Sequence, residues 1–213
     1  MRSDIAFNAN DLSIMNESFV TFLIEGVESY NSDPDTEHLG ELFLTLLLAF
    51  NLQFFDASKI TQENGVKDGQ SENLVIKVLS RKSEYKYFIE KILILFNREE
   101  DPVCMFEHEP RPVHSVLRMM VDIFQCGSTA KLLYTNDEKV LCDIILRQLT
   151  DLPSDDKRRS NYLLLLEGVV SLGRWKEHQH RQKELTTRLN AISEQGESPC
   201  DKEIAERILQ EVQ

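Results

Sequence analysis

Apolar residues recur three and four positions apart along most of this chain, and sustained alternation of period two is nearly absent, so the sequence can build helices but hardly a sheet. Ser18 to Tyr30 carries Phe19, Phe22, Leu23 and Val27 at helical spacing. The next segment opens with Asp33 as a cap and Pro34 at the first helical position, and is expected to run to about Leu52. Its Leu39, Phe43, Leu46, Leu47 and Phe50 share a face. Leu42, Leu44 and Leu48 make it apolar almost all round, so a core helix with several neighbours is expected. The polar stretch Asp56 to Gln70, with Gly65 and Gly69, reads as a loop.

Six further helices follow by the same signs. Ser71 caps a short one reaching Ser80, and Ser83 caps a longer one with Tyr85, Phe88, Ile89, Ile92, Leu93 and Phe96 on its apolar face, ended by Asp101-Pro102. Pro112 opens a helix carrying Val116, Leu117, Met120, Val121 and Phe124, with Gly127 as its stop. After a helical turn around Ala130 to Leu133, Thr135 and Glu138 have capping-box spacing before Val140, Leu141, Ile144, Ile145 and Leu149. Ser154 with Asp155 and Asp156 caps a helix bearing Leu163, Leu164, Leu166, Val169 and Val170, which Gly173 stops. A single helix over 174–193 then shows the thin stripe Leu185, Leu189 and Ile192. The expected organisation is a helical domain over residues 1–193, then a linker and short helix over 194–213 with Ile204, Ile208 and Val212 on a weak stripe.

Eight or nine helices of about 10 to 18 residues joined by short loops describe an all-α fold, and broad apolar faces on successive hairpins favour an α-solenoid of the armadillo or HEAT type over a compact bundle. Of the 213 residues, 41% are apolar and 28% charged, a balance that excludes disorder, and no apolar run approaches the roughly 20 residues of a membrane span. With no secretory leader pattern after Met1, the cytoplasm is the expected location. A net charge of −12 argues against nucleic acid as partner, because phosphate contacts need clustered Lys and Arg. Cys104, Cys126, Cys142 and Cys200 show no CxxC spacing and read as reduced, mostly structural thiols.

Chemistry finds little purchase. His178 and His180 with Glu177 have the residue types of a metal site, but residues two apart on a helix point about 200° from each other, and shared ligands need spacings of three or four. Cys104 and His108 could serve as nucleophile and base, yet they lie in a proline-bounded loop with no third group to orient them. Neither a GxSxG elbow nor a phosphate-binding glycine loop occurs, so no enzymatic activity and no cofactor is expected. Charge clusters stand at 98–101, at 155–159, and at Arg181, Lys183 and Glu184 beside the histidines, and read as capping or solvated faces unless a partner uses them. Trp175, the only tryptophan, is expected to pack the first turn of its helix, with an anchor for a partner beside Arg174 and Lys176 as the alternative.

Several blocks in one order resemble a known family. Residues 96–103 (FNREEDPV), 106–110 (FEHEP), Leu133-Tyr134-Thr135-Asn136-Asp137, 143–149 (DIILRQL), 156–159 (DKRR) with Tyr162-Leu163, and 177–181 (EHQHR) are similar to the C-terminal leucine-rich region of the Dip/WISH family, and 49–54 (AFNLQF) is similar as well. The resemblance runs from about Leu39 to Leu185. It implies an armadillo-like domain that binds the actin-related protein 2/3 complex and activates it without a preformed mother filament, nucleating linear actin filaments. An SH3 or proline-rich segment is not read here, so the contacts of longer members with signalling adaptors are not expected. Activators of another type end in an acidic, tryptophan-containing tail, whereas Trp175 lies between Arg174 and Lys176, which disfavours that mechanism. Under this resemblance Arg98, Glu99, Lys157, Arg158, Arg159, His178 and Arg181 are the expected surface contacts, and an adaptor that tethers partners without activating them is the alternative.

Overall fold

Residues 16–30, 36–54, 73–104, 114–196 and 198–212 are described in the computed structural model, and they contain eleven α-helices, one 3-10 turn and no strand, an all-α fold. The chain separates into two compact units, residues 1–81 and 82–213.

In the first unit, α1 (Glu17–Ser29) packs on α2 (Glu37–Asn51), which continues into the 3-10 turn Leu52–Phe54, and both meet the short α3 (Leu74–Leu79). Asn16 caps α1 by accepting from the Phe19 N–H at 3.1 Å. Val20, Leu23, Ile24 and Val27 form its buried stripe. Gly26 lets the Phe43 ring lie against α1, since a Cβ there would run into that ring. The α2 core face differs from expectation. Leu44, Leu47, Leu48 and Phe50 are buried while Leu42 and Leu46 are exposed, because a helix this rich in leucine fits several faces equally well. It begins at Glu37, and the expected cap Asp33 and Pro34 lie outside the described residues, as do the 56–70 loop and Ser71. The cap of α3 is Asn73, whose Oδ1 accepts from Val75 N–H at 3.0 Å while its Nδ2 donates to the buried Asn51 Oδ1 at 2.9 Å. Glu17 ties α1 to the end of α3 by accepting from Lys77 at 2.9 Å and pairing with Arg81.

The second unit holds α4 (Lys86–Arg98), α5 (Ser115–Ile123), α6 (Gly127–Ala130), α7 (Thr135–Asp151), α8 (Arg158–Leu172), α9 (Trp175–His178), α10 (Gln182–Gln195) and α11 (Pro199–Val212). At its centre is α8, which touches α5, α6, α7, α9 and α11, in keeping with apolar residues all round it: Tyr162, Leu163, Leu165, Leu166, Val169 and Val170 are buried. Gly168 permits this packing, since a Cβ would stand 2.7 Å from the Phe124 Cβ and carbonyl oxygen. The α4 stripe is buried at Tyr85, Phe88, Ile89, Ile92 and Phe96.

Several boundaries move for identifiable reasons. The N-cap of α4 is Tyr85 rather than Ser83, and the helix ends at Glu99 in left-handed backbone (φ 58°), with Glu100 N–H bonded to Leu95 O and Glu99 N–H to Phe96 O. Asp101 caps α5 across the loop rather than merely ending α4, accepting from Ser115 N–H at 2.8 Å and Ser115 Oγ at 2.6 Å. Pro112 is outside the described residues, and Gly127 opens α6 instead of closing α5. In α7 the reciprocal cap is Asp137, which accepts from Tyr134 N–H at 3.1 Å; Glu138 is fully buried and Val140 is exposed. The helix expected over 174–193 is broken: α9 ends at Gln179 (φ 48°), Arg181 (φ 59°) is also left-handed, and only then does α10 begin. The last helix, α11, packs on α8 and α10, burying Ile204, Ala205, Ile208, Leu209 and Val212.

Candidate partner-binding surface

The left-handed turn after α4 sets Glu99 against the end of α7 and the start of α8. Its carboxylate accepts from Gln148 Nε2 at 2.6 Å and lies 3.8 Å from Arg158. Arg158 is held from below by Asp156, whose Oδ2 accepts from Nη2 at 2.7 Å, and that guanidinium bond holds the Asp156 carboxyl below the usual carboxylate range. Arg98 is exposed beside Glu100 at 3.9 Å, and Lys157 is exposed next to Arg158. Glu99 and Arg158, expected from two separate clusters, therefore meet on one rim, with Arg98 preceding Glu99 in the chain.

Arg159 does not belong to that rim. It is buried, donates Nη1–H to Leu152 O at 3.2 Å, and places its Nε 3.8 Å from the buried Asp201 of α11, which also accepts from Ser160 Oγ. His178 likewise turns inward. Its side chain is 6% exposed, Nδ1 accepts from His180 N–H at 3.1 Å, and Nε2 lies 3.5 Å from Glu138 Oε2 without a hydrogen bond. Burial first, then Lys139 and His180, lowers the His178 pKa. Expected as surface contacts, both side chains are used inside the unit.

The elbow between α9 and α10 explains His178. Trp175 is buried and donates Nε1–H to His180 O at 3.1 Å, fixing the turn as the packing role expected of it. Glu138 accepts twice from the Arg174 N–H, at 2.8 and 3.1 Å, and its burial, partly countered by that bond, raises its pKa to about 7. Because the helix breaks at Gln179, the two histidine rings come within 6.4 Å rather than diverging, with His180 Nε2 3.1 Å from Asp143 Oδ1. Among the described residues no three His, Cys, Asp or Glu side chains gather as metal ligands. Arg181 caps α10 and is exposed, 3.7 Å from Asp143 and 3.5 Å from Glu184.

Between α7 and α10 runs an open groove of about 900 Å³. Arg181 and Asp143 stand in its wall, and so do Asn97 and Arg147, which are bonded to each other (Nη2 to Asn97 O, 2.9 Å) directly beside Arg98. Arg188 reaches across it to cap α7, donating Nε–H to Leu149 O at 2.8 Å. The groove thus connects the Glu99 rim with the Arg181 elbow. Asp143, Arg147, Lys183 and Arg188 were not among the expected contacts. The signal was present in the four-residue step from Asp143 to Arg147 to Asp151, all exposed along α7.

Cys104 is exposed, and His108 lies outside the described residues. All four cysteines are free; burial pushes Cys142 up to about 12, as befits an inert packing thiol.

The model of the SPIN90/Ldb17 leucine-rich domain family matches residues 36–185. Among curated proteins, protein LDB17 of Saccharomyces cerevisiae is 28% identical over 184 residues, 86% of this chain and 34% of that protein. Protein dip1 of Schizosaccharomyces pombe is 31% identical over 150 residues, 68% of this chain and 36% of that protein. Protein LDB17 of Eremothecium gossypii is 26% identical over 182 residues, 82% of this chain and 35% of that protein. The chain spans about a third of the length of these relatives. With a family match that takes in α2 through the first turn of α10, the chain belongs to the SPIN90/Ldb17 leucine-rich domain family.

Proposed function

We propose that this chain binds the actin-related protein 2/3 complex and activates it without a preformed filament, so that linear actin filaments are nucleated. The reading is carried by family membership over residues 36–185, the stretch in which the ordered sequence blocks also stand. It requires no chemistry of the chain itself: binding energy that favours the active arrangement of the complex is sufficient, and an effector shifts such an equilibrium only by its differential affinity for the two states. The armadillo-like helical scaffold supplies a rigid surface, and the charged rim around Glu99 and the α7/α10 groove supply exposed groups that could set register with a partner. The reading places the protein in the cytoplasm, at the actin cytoskeleton.

Assembly of pyrene-labelled actin in the presence of the purified complex tests it. Addition of the folded chain is expected to shorten the lag without any filament seeds, and single-filament imaging is expected to show unbranched products. An unchanged lag would sink activation, and retention of the complex on the immobilised chain with nucleation still flat would establish a tethering adaptor instead.

A further inference from the structure

Three of the four large apolar side chains left exposed among the described residues of 82–213 surround one depression. Ile94 (38% exposed), Tyr134 (53%) and Val140 (49%) stand at the edges of a groove of about 610 Å³ between α4 and the start of α7, whose floor includes the buried Ile89 and Leu132. Burial elsewhere in the unit is thorough, so this concentration of exposed apolar surface is unusual. On α4 the lining positions are 86, 89, 90, 93, 94 and 97, a single face at steps of three and four from one end of the helix to the other. The eleven steps from 86 to 97, at about 1.5 Å each, make the groove about 17 Å long, the length of three turns of a guest helix.

The rim has a definite sign. Glu84, Glu90 and Asp137 face a single lysine, Lys86, which lies near the Tyr87 ring at 5.8 Å from its centroid. Glu84 also accepts from Tyr134 Oη at 2.7 Å, which fixes the aromatic wall of the groove without cancelling the charge. The α7/α10 groove differs: its walls carry Arg147, Arg181, Lys183 and Arg188 against Asp143, Asp151 and Glu184. Val140 and Asn97 line both grooves, so the two surfaces are distinct in charge but share a ridge.

We propose that the α4/α7 groove is a docking site for a basic amphipathic helix of a partner protein, whose apolar residues at i, i+3 or i+4, and i+7 cover Ile94, Tyr134 and Val140 while its Lys or Arg side chains face Glu84, Glu90 and Asp137. Helix-in-groove recognition takes affinity from the apolar anchors and orientation from the charged rim. The site adjoins the surface invoked for nucleation along the Asn97 and Val140 ridge, but its occupant is argued from its own apolar edges and acidic rim and does not depend on that reading.

A display library of 15-residue helix-forming peptides, panned against the full chain, tests the proposal. Enriched peptides are expected to combine a net positive charge with apolar residues at those intervals. They are expected to bind the double variant Ile94→Asp, Val140→Asp at least tenfold more weakly and to bind Glu90→Lys about threefold more weakly, with the wild-type affinity falling as salt is raised. All three positions are exposed, so circular dichroism is expected to show unchanged helicity in both variants. Failure to enrich any helical peptide, enrichment of acidic or neutral sequences, or equal binding to the double variant would each overturn the assignment.

Discussion

Glu138 occupies the first turn of α7, where an acid ordinarily stays in water and complements the helix dipole. Here it is fully buried against the Arg174 N–H, with Asp137, Lys139, Glu177 and the neutral-leaning His178 as the neighbouring titratable groups. A carboxyl whose folded pKa is raised from 4.5 to about 7 binds more protons folded than unfolded, so its contribution is fully present below about pH 4.5 and lost as pH rises through about 7. The size of that loss is up to about 3 kcal/mol. Urea unfolding of Glu138→Gln is therefore expected to be much less sensitive to pH between 5 and 8 than that of the natural chain; parallel curves for the two would show that Glu138 does not carry the effect. His178 acts oppositely, since its lowered pKa costs stability as pH falls below 6.5, so the comparison is made between the variant and the natural chain and not from one profile. Arg159 has a different sensitivity. Arg159→Ala leaves Asp201 buried without its cation and is expected to destabilise by about 3 kcal/mol, read as a lower urea midpoint. A midpoint unchanged in that variant would return Arg159 to the surface.

At the scale of elements, α11 has the largest consequence for the second unit. Its four large buried side chains, Ile204, Ile208, Leu209 and Val212, at about 2 kcal/mol each, come to roughly 8 kcal/mol, which is as large as the whole stability of an ordinary domain. Polar ties add to this: Arg207 donates Nε–H to Glu167 Oε1 at 2.7 Å, and Lys176 meets Glu211 at 3.0 Å. Truncation after Ser198 is expected to abolish the cooperative thermal transition of residues 82–213, and a truncated chain that still melts cooperatively would refute the estimate. From sequence this helix looked like a weak stripe, because its Ala and Leu neighbours at 205 and 209 complete the buried face only when α8 and α10 lie on both sides. The stripes of α4 and α10 were legible because each has one narrow apolar face, whereas α5 is buried at every position but Arg118, so that its Met119 and Ile123 escape a single-stripe reading. On α2 periodicity could not choose the buried face, since leucine occurs on every side. The elbow at Gln179 and Arg181 was invisible for another reason: no glycine or proline marks it, and two ordinary residues are held in left-handed backbone by Trp175 and His178 from within. Of the expected contacts, Arg98, Glu99, Lys157, Arg158 and Arg181 are at the surface, while Arg159 and His178 are internal, a distinction that local charge pattern does not encode.

For the molecule as a whole, a net charge of −12 favours approach by a basic partner surface, so an exposed cation such as Lys157 can act on a partner only through local contacts. Under the proposed function, reversing the exposed Lys157 alone, with Arg158 left on Asp156 and Glu99 and Arg159 left intact, is expected to weaken binding of the actin-related protein 2/3 complex about threefold without lowering the melting temperature; equal affinity in a pull-down titration would remove Lys157 from the interface. The two compact units also raise the question of whether the chain unfolds in one step, and the molecule carries its own instrument for the answer. Its single tryptophan is Trp175, buried in the second unit, so indole emission responds to residues 82–213 while far-ultraviolet dichroism weighs the helices of both units. Superimposed transitions by the two signals would identify one cooperative block, and a dichroism loss that precedes the red shift of the indole would identify the α1–α3 unit as the first to melt.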